Sequence, residues 1–117
     1  MPDCLFCQVA SHTIAGPLLF EDDLVVAFDV PESHPEKRAP VHFMVIPREH
    51  VASARDVDER HEPILGRMMT VASQVAVEKG ISQSGYRFVM NTGDDANQTV
   101  FHLHLHCLGG TKLATTG

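Results

Sequence analysis

The segment "TVFHLHLHCLG", residues 99–109, alternates two kinds of side chain: His102, His104 and His106 interleave with Leu103, Leu105 and Cys107. Only an extended strand has a two-residue period, with successive side chains on opposite faces. The three imidazoles then share one face, successive ones about 7 Å apart for a rise of roughly 3.4 Å per residue. A helix would bring only His102 and His106 together and would scatter the leucines. The alternation therefore demands a sheet with one apolar face against a core and one face carrying chemistry.

Other segments supply that sheet and its cover. "PLLFEDDLVVAF" predicts two short strands, residues 18–20 and 24–28, around a turn at Glu21, Asp22 and Asp23. The proline- and charge-rich "PESHPEKRAP", residues 31–40, predicts a loop, and "VHFMVIP", residues 41–47, a buried strand closed by Pro47. From 58 to 79 the apolar Ile64, Leu65, Met68, Met69, Val71, Ala72, Val75 and Ala76 recur at helical spacing. Pro63 suits a first turn, and Lys79 with Gly80 suits a C-terminal cap. "YRFVMN" and the histidine segment predict two more strands around the loop "TGDDANQ". The order ββ, β, α, ββ with short links predicts an α+β fold, an antiparallel sheet of about five strands with one main helix on a face.

The chain of 117 residues is expected to form a single domain, residues 1–117, with 44% apolar and 21% charged residues typical of a globular protein. A net charge of −6 and no Lys/Arg cluster argue against a nucleic acid polymer or a membrane as partner. No apolar run is long enough to span a bilayer, and "MPDCLFCQVA" has no signal-peptide character, so a cytoplasmic location is expected. Neither GxGxxG nor GxxxxGK[ST] occurs.

Three aligned imidazoles admit a metal site, a catalytic site with imidazole as nucleophile or acid, or merely the polar face of an edge strand. Cys4 and Cys7 form a Cys-x-x-Cys pair; with no βαβ unit before it, a redox reading is weak and a zinc reading needs two more ligands. Cys107 is expected in the core, and His12, His34 and His61 are expected to be solvated.

The stretch "NTGDDANQTVFHLHLHCLGG", with "FEDDLVVAFD", "VHFMVIPREH" and "GYRFVMN" upstream, resembles the histidine-triad (HIT) family in order and spacing over residues 4–110. The "LGG" after the triad is similar to the Hint branch of nucleoside phosphoramidases. That resemblance implies a HIT-like fold with a short N-terminal helix besides the main one, and a purine nucleotide substrate. His104 would attack the α-phosphate, and His106 would donate to a phosphate oxygen with His42 beside it. Gln98 and Thr99 would lie near the leaving group, Asn91 near ribose and phosphate, and Phe28 in the nucleotide site. It also implies one structural zinc on Cys4, Cys7, His50 and His102, no catalytic metal, and a homodimer.

Three departures from the family pattern stand out. The acidic residue that holds the ribose is usually two positions after the "AF" phenylalanine, whereas Asp29 follows Phe28 directly; Asp29 or Glu32 could serve. The tail "TKLATTG" lacks the Trp-Pro-Pro ending of many Hint-branch proteins, and Asn97 stands where Gly usually precedes Gln98. A dinucleoside polyphosphate hydrolase, a nucleotide-binding regulatory protein with incidental turnover, and a hydrolase using the triad as metal ligands are the competing readings.

Overall fold

The structure is a computed structural model and describes residues 4–12, 17–34 and 37–115. Residues 35 and 36 of the expected loop, and the last two of the tail, lie outside the described residues. Among the described residues there are five strands: β1 (Phe20–Glu21), β2 (Val25–Asp29), β3 (Val41–Pro47), β4 (Tyr86–Val89) and β5 (Leu105–Gly109). With them stand a short helix α1 (Leu5–Ala10) and the main helix α2 (Glu62–Glu78). Every pairing is antiparallel, in the order β1-β2-β3-β5-β4, as the α+β expectation required.

The register sorts side chains between faces. Val25 and Ala27 of β2, Phe43 and Val45 of β3, and Leu105 and Cys107 of β5 form a buried cluster with Met68, Val71, Ala72, Val75 and Ala76 of α2. Fully burying one of the larger aliphatic or aromatic side chains contributes roughly 1.5–3 kcal/mol, which is why α2 is held on this face. On the opposite face Phe6 and Ala10 of α1 pack with Val26 and Ile46. Two cross-strand rows on that opposite face position the site. Phe28 opposes Met44, Met44 opposes His106, and His106 opposes Val89. One step along, His42 opposes Leu108, which opposes Arg87.

Three details differ from the sequence expectations. The histidine strand begins only at Leu105; residues 101–104 do not pair in the sheet, and the chain bends at 101 and 102. Leu103 donates its N–H to the Val51 carbonyl (2.6 Å), outside the sheet, and Pro47 at the end of β3 has no N–H to offer a ladder there. α2 starts at Glu62 rather than near 58, because residues 54–56 and 59–61 form 3-10 turns. His61 is accordingly buried, not solvated: Asp58 and His61 form a reciprocal capping box at the second of these turns. His12 and His34 are exposed, as expected.

The end of α2 follows the sequence signal. Gly80 takes φ +78°, and the N–H groups of Gly80 and Ile81 donate to the Val77 and Ala76 carbonyls (3.0 and 3.1 Å). That is a Schellman cap, which a residue with a Cβ would strain.

Candidate functional site

The three histidines, though spaced evenly in sequence, sit in three environments. His102 is fully buried and turned away from the sheet toward α1. Its Nδ1 lies 3.5 Å from Cys4 Sγ and 3.4 Å from Cys7 Sγ, and His50 Nδ1 lies 3.3 Å from Cys7 Sγ. The four ligand atoms are all within 4.8 Å of one another, so Cys4, Cys7, His50 and His102 form a cluster that could hold a metal ion. Tetrahedral zinc with bonds of about 2.0–2.3 Å requires ligand atoms roughly 3.3–3.8 Å apart, and the two-thiol, two-imidazole donor set suits it. The other ring nitrogen of His102, Nε2, donates to the Pro47 carbonyl (2.8 Å), leaving Nδ1 as the lone-pair nitrogen facing the thiols. Burial, ahead of the nearby His50 and His104, lowers the His102 pKa and so keeps this ring neutral, the form a ligand needs.

His104 comes next. Its Nδ1 donates to the His102 carbonyl (2.7 Å); since a carbonyl can only accept, the lone pair of the neutral ring is on Nε2. The ring lies edge-on between Phe6 (centroids 5.1 Å) and His106 (4.9 Å). It is only 6% exposed. Nothing in the strand pattern shows that Phe6 of α1 packs on this ring.

His106 is fixed by a chain of hydrogen bonds that starts in the long loop. The Arg38 backbone N–H donates to His42 Nδ1 (3.1 Å), which makes His42 an Nε2–H tautomer. His42 Nε2 then donates to His106 Nδ1 (2.8 Å), and His106 carries its own proton on Nε2. Burial, reinforced by His104 and His42 alongside, pushes the His106 pKa down to about 4. At neutral pH it is an uncharged N–H donor.

A cavity of about 350 Å³ opens beside this pair, walled by His42, His106, Asn91, Arg38 and Arg87 among others. A smaller one of about 240 Å³ shares His42 with it and includes Asp29, Glu32, Lys37 and Lys79. Asp29 ends β2 and accepts from Lys79 Nζ (2.8 Å) through one carboxylate oxygen, Oδ2. Glu32 pairs with Lys37. Phe28 is half-buried against Phe6 (centroids 5.6 Å). Thr99 is exposed, and Gln98 is buried with its whole amide spent on backbone. Gln98 Oε1 accepts from the Gly93 N–H (2.9 Å), and Nε2 donates to the Ala52 and Val100 carbonyls (2.7 and 3.2 Å). These bonds hold the 93–98 loop, in which Asn97 takes the left-handed conformation (φ 61°) that its side chain tolerates.

Several residues near the site were not assigned to it from sequence: Phe6, Arg38 and Arg87, with Lys79 read only as part of a helix cap. For Arg87 a signal existed. It alternates with Tyr86 and Phe88, which pack on the core, so the two-residue period assigns it to the histidine face.

A Cys/His cluster, a buried imidazole whose Nδ1 is bound to a carbonyl, and a neutral imidazole donor together define a histidine-based site. The chain belongs to the histidine-triad (HIT) family. A family model described as "Scavenger mRNA decapping enzyme C-term binding" matches residues 3–115. The chain is 38% identical over 112 residues to the purine nucleoside phosphoramidase of Escherichia coli K12, covering 95% of this chain and 90% of that protein. It superposes on a HIT family hydrolase from Legionella pneumophila with TM-score 0.90 at 34% identity, covering 97% of this chain and 98% of that one. A histidine triad protein from Clostridium difficile matches with TM-score 0.90 at 37% identity, covering 100% and 98%.

Proposed function

We propose that this protein is a HIT hydrolase that cleaves the P–N bond of purine nucleoside phosphoramidates through a nucleotidyl-histidine intermediate on His104. The observation that carries this reading is the His104 tautomer: Nδ1–H is bound to the His102 carbonyl, so Nε2 is the attacking nitrogen. The purine nucleoside phosphoramidase relative supports the substrate class. In the first step His104 Nε2 bonds to the α-phosphorus as the P–N bond breaks. In the second, water displaces His104, its hydroxyl ending on phosphorus and its proton replacing the one that the amine carried off when it left in the first. His106 Nε2–H stabilises a non-bridging phosphate oxygen, and His42 orients His106 and relays protons. Asp29 accepts from the ribose hydroxyls beside Phe28, Asn91 borders ribose and phosphate, and Thr99 lies on the leaving-group side. Gln98 shapes that side through the backbone it holds.

A zinc ion bound by Cys4, Cys7, His50 and His102 would be structural. All four ligand positions of a tetrahedral ion are filled by protein atoms, and His104 and His106 point their nitrogens elsewhere. We also propose a homodimer. Met69 (55% exposed) and Val77 (63% exposed) stand on the outer face of α2, and β4 is an open sheet edge.

The test is turnover of an adenosine phosphoramidate beside a dinucleoside polyphosphate, by wild type and His104→Ala. The expected result is preference for the phosphoramidate, a nucleotide adduct trapped on wild type by rapid quenching, and a loss of roughly a thousandfold or more in kcat for the variant with nucleotide binding retained. Preference for the polyphosphate would favour the dinucleotide reading, and binding without turnover a regulatory one. Near-normal turnover by His104→Ala would end the covalent mechanism.

A further inference from the structure

The cavity beside His106 has a charge that is unusual for this chain. The protein carries a net charge of −6, yet two guanidinium groups, Arg38 and Arg87, line this cavity and no carboxylate does among the described residues. Arg87 sits on the sheet face that bears His106. It opposes Leu108 on β5, two residues beyond His106, and such a diagonal relation spans roughly 7–8 Å. An arginine side chain is long enough to cross that gap. Its Nη2 donates to the Ala114 carbonyl (2.6 Å), one bond from a fork of five N–H groups, so the side chain is held at the cavity wall. Leu113 and Ala114 close the same wall.

We infer that this cavity is a leaving-group subsite for substrates whose departing group carries an anion, with Arg87 as the specificity-determining residue. The inference rests on the hydrolase reading above and names its substrate class more closely. A planar guanidinium matches the paired oxygens of a carboxylate or a phosphate, and a wall without acidic groups keeps that attraction from being cancelled locally. An amine bearing an α-carboxylate, or a leaving group ending in a second phosphate, presents those oxygens three or two bonds, respectively, beyond the departing atom. A neutral or cationic amine gains nothing there.

The experiment compares three substrates with one nucleotide: a phosphoramidate of an α-amino acid, the phosphoramidate of the corresponding amino-acid amide, and a substrate whose leaving group ends in phosphate. The readout is the kcat/KM ratio of each anionic substrate to the neutral one, in wild type, Arg87→Gln and Arg87→Lys. Wild type should prefer at least one anionic substrate, and the arm that does so distinguishes carboxylate from phosphate. Arg87→Gln should lower that ratio by about tenfold, which is 1.4 kcal/mol, with Arg87→Lys between the two because it keeps charge but loses the fork. A purely structural role through the Ala114 bond would lower all substrates in proportion and leave the ratio unmoved, and that result overturns the subsite. Turnover of the neutral substrate with no anionic preference in wild type overturns the subsite alone. Failure of wild type to turn over any of the three overturns the hydrolase reading and this inference with it.

Discussion

His106 differs from an ordinary surface histidine by its company. Burial together with His104 and His42 holds it near a pKa of about 4, against roughly 6.5 for an unfolded chain. Between those values the unfolded state binds a proton that the native state does not, so stability from this group is lost as pH falls from about 6.5 to about 4 and is regained as pH rises. The catalytic consequence follows directly: His106 stays an uncharged Nε2–H donor through mildly acidic pH, and any acid limb near pH 6 belongs to another group. Following its Cε1–H resonance by NMR should give a midpoint near 4. A midpoint near 6.5 would contradict the enclosed geometry. The same logic explains the role of the Arg38 N–H, which selects the His42 tautomer and so decides which nitrogen of His106 carries the proton.

At the scale of elements, α1 is the least self-sufficient part of the fold. Six residues are too few for a helix to stand alone in water. Its hold comes from Phe6 and Ala10 in the smaller apolar cluster and from Cys4 and Cys7 at the His50–His102 cluster. Arg48 adds a bond to the Ala10 carbonyl that closes its C-terminal end. Because Phe6 touches both His102 and His104, the position of α1 bears on the proposed nucleophile. Cys4→Ser removes one of the four proposed ligands, and a structural zinc site can be worth on the order of 10 kcal/mol of apparent folding free energy. We expect lower metal content, faster amide hydrogen exchange across residues 5–10, and a fall in Tm of about 8 °C or more if as little as 2 kcal/mol is lost. Absence of any zinc from carefully purified wild type would remove the metal assignment, leaving α1 held by packing alone.

At the scale of the whole molecule, α2 presents two different surfaces. Its inner stripe is buried on the sheet, whereas Met69 and Val77 stand out in solvent with Thr70 and Gln74 between them, and neither carries charge. Exposed apolar residues on a helix near an open sheet edge are the ordinary material of a subunit contact. Sedimentation velocity should therefore find a dimer for wild type, and Met69→Glu with Val77→Lys should shift it toward monomer while leaving the far-ultraviolet circular dichroism unchanged. A monomeric wild type would leave these residues as simple surface. Among the described residues, no helix is long and apolar enough to cross a membrane.

What was legible in the sequence was whatever depends on period and local stereochemistry. Alternation in residues 103–107 announced a strand with Leu105 and Cys107 inward, the 3.6-residue stripe announced α2, and Gly80 announced its end. The resemblance to the HIT family named Cys4, Cys7, His50 and His102 together, and these are the residues that the fold clusters. Periodicity could not show where the strand would stop. His102 and His104 leave the ladder because Leu103 bonds Val51 and His102 turns to the cysteines, and those partners lie far away in sequence. Nor could it show that His61 is buried by its own capping box, that Gln98 spends its amide on backbone, or that Phe6 covers His104. Backbone period is a property of neighbours along the chain, so sequence alone determined the elements and their faces. Tautomer, enclosure and charge around each histidine depend on atoms brought together across as many as 98 residues, as Cys4 is to His102, and only the tertiary structure decided them.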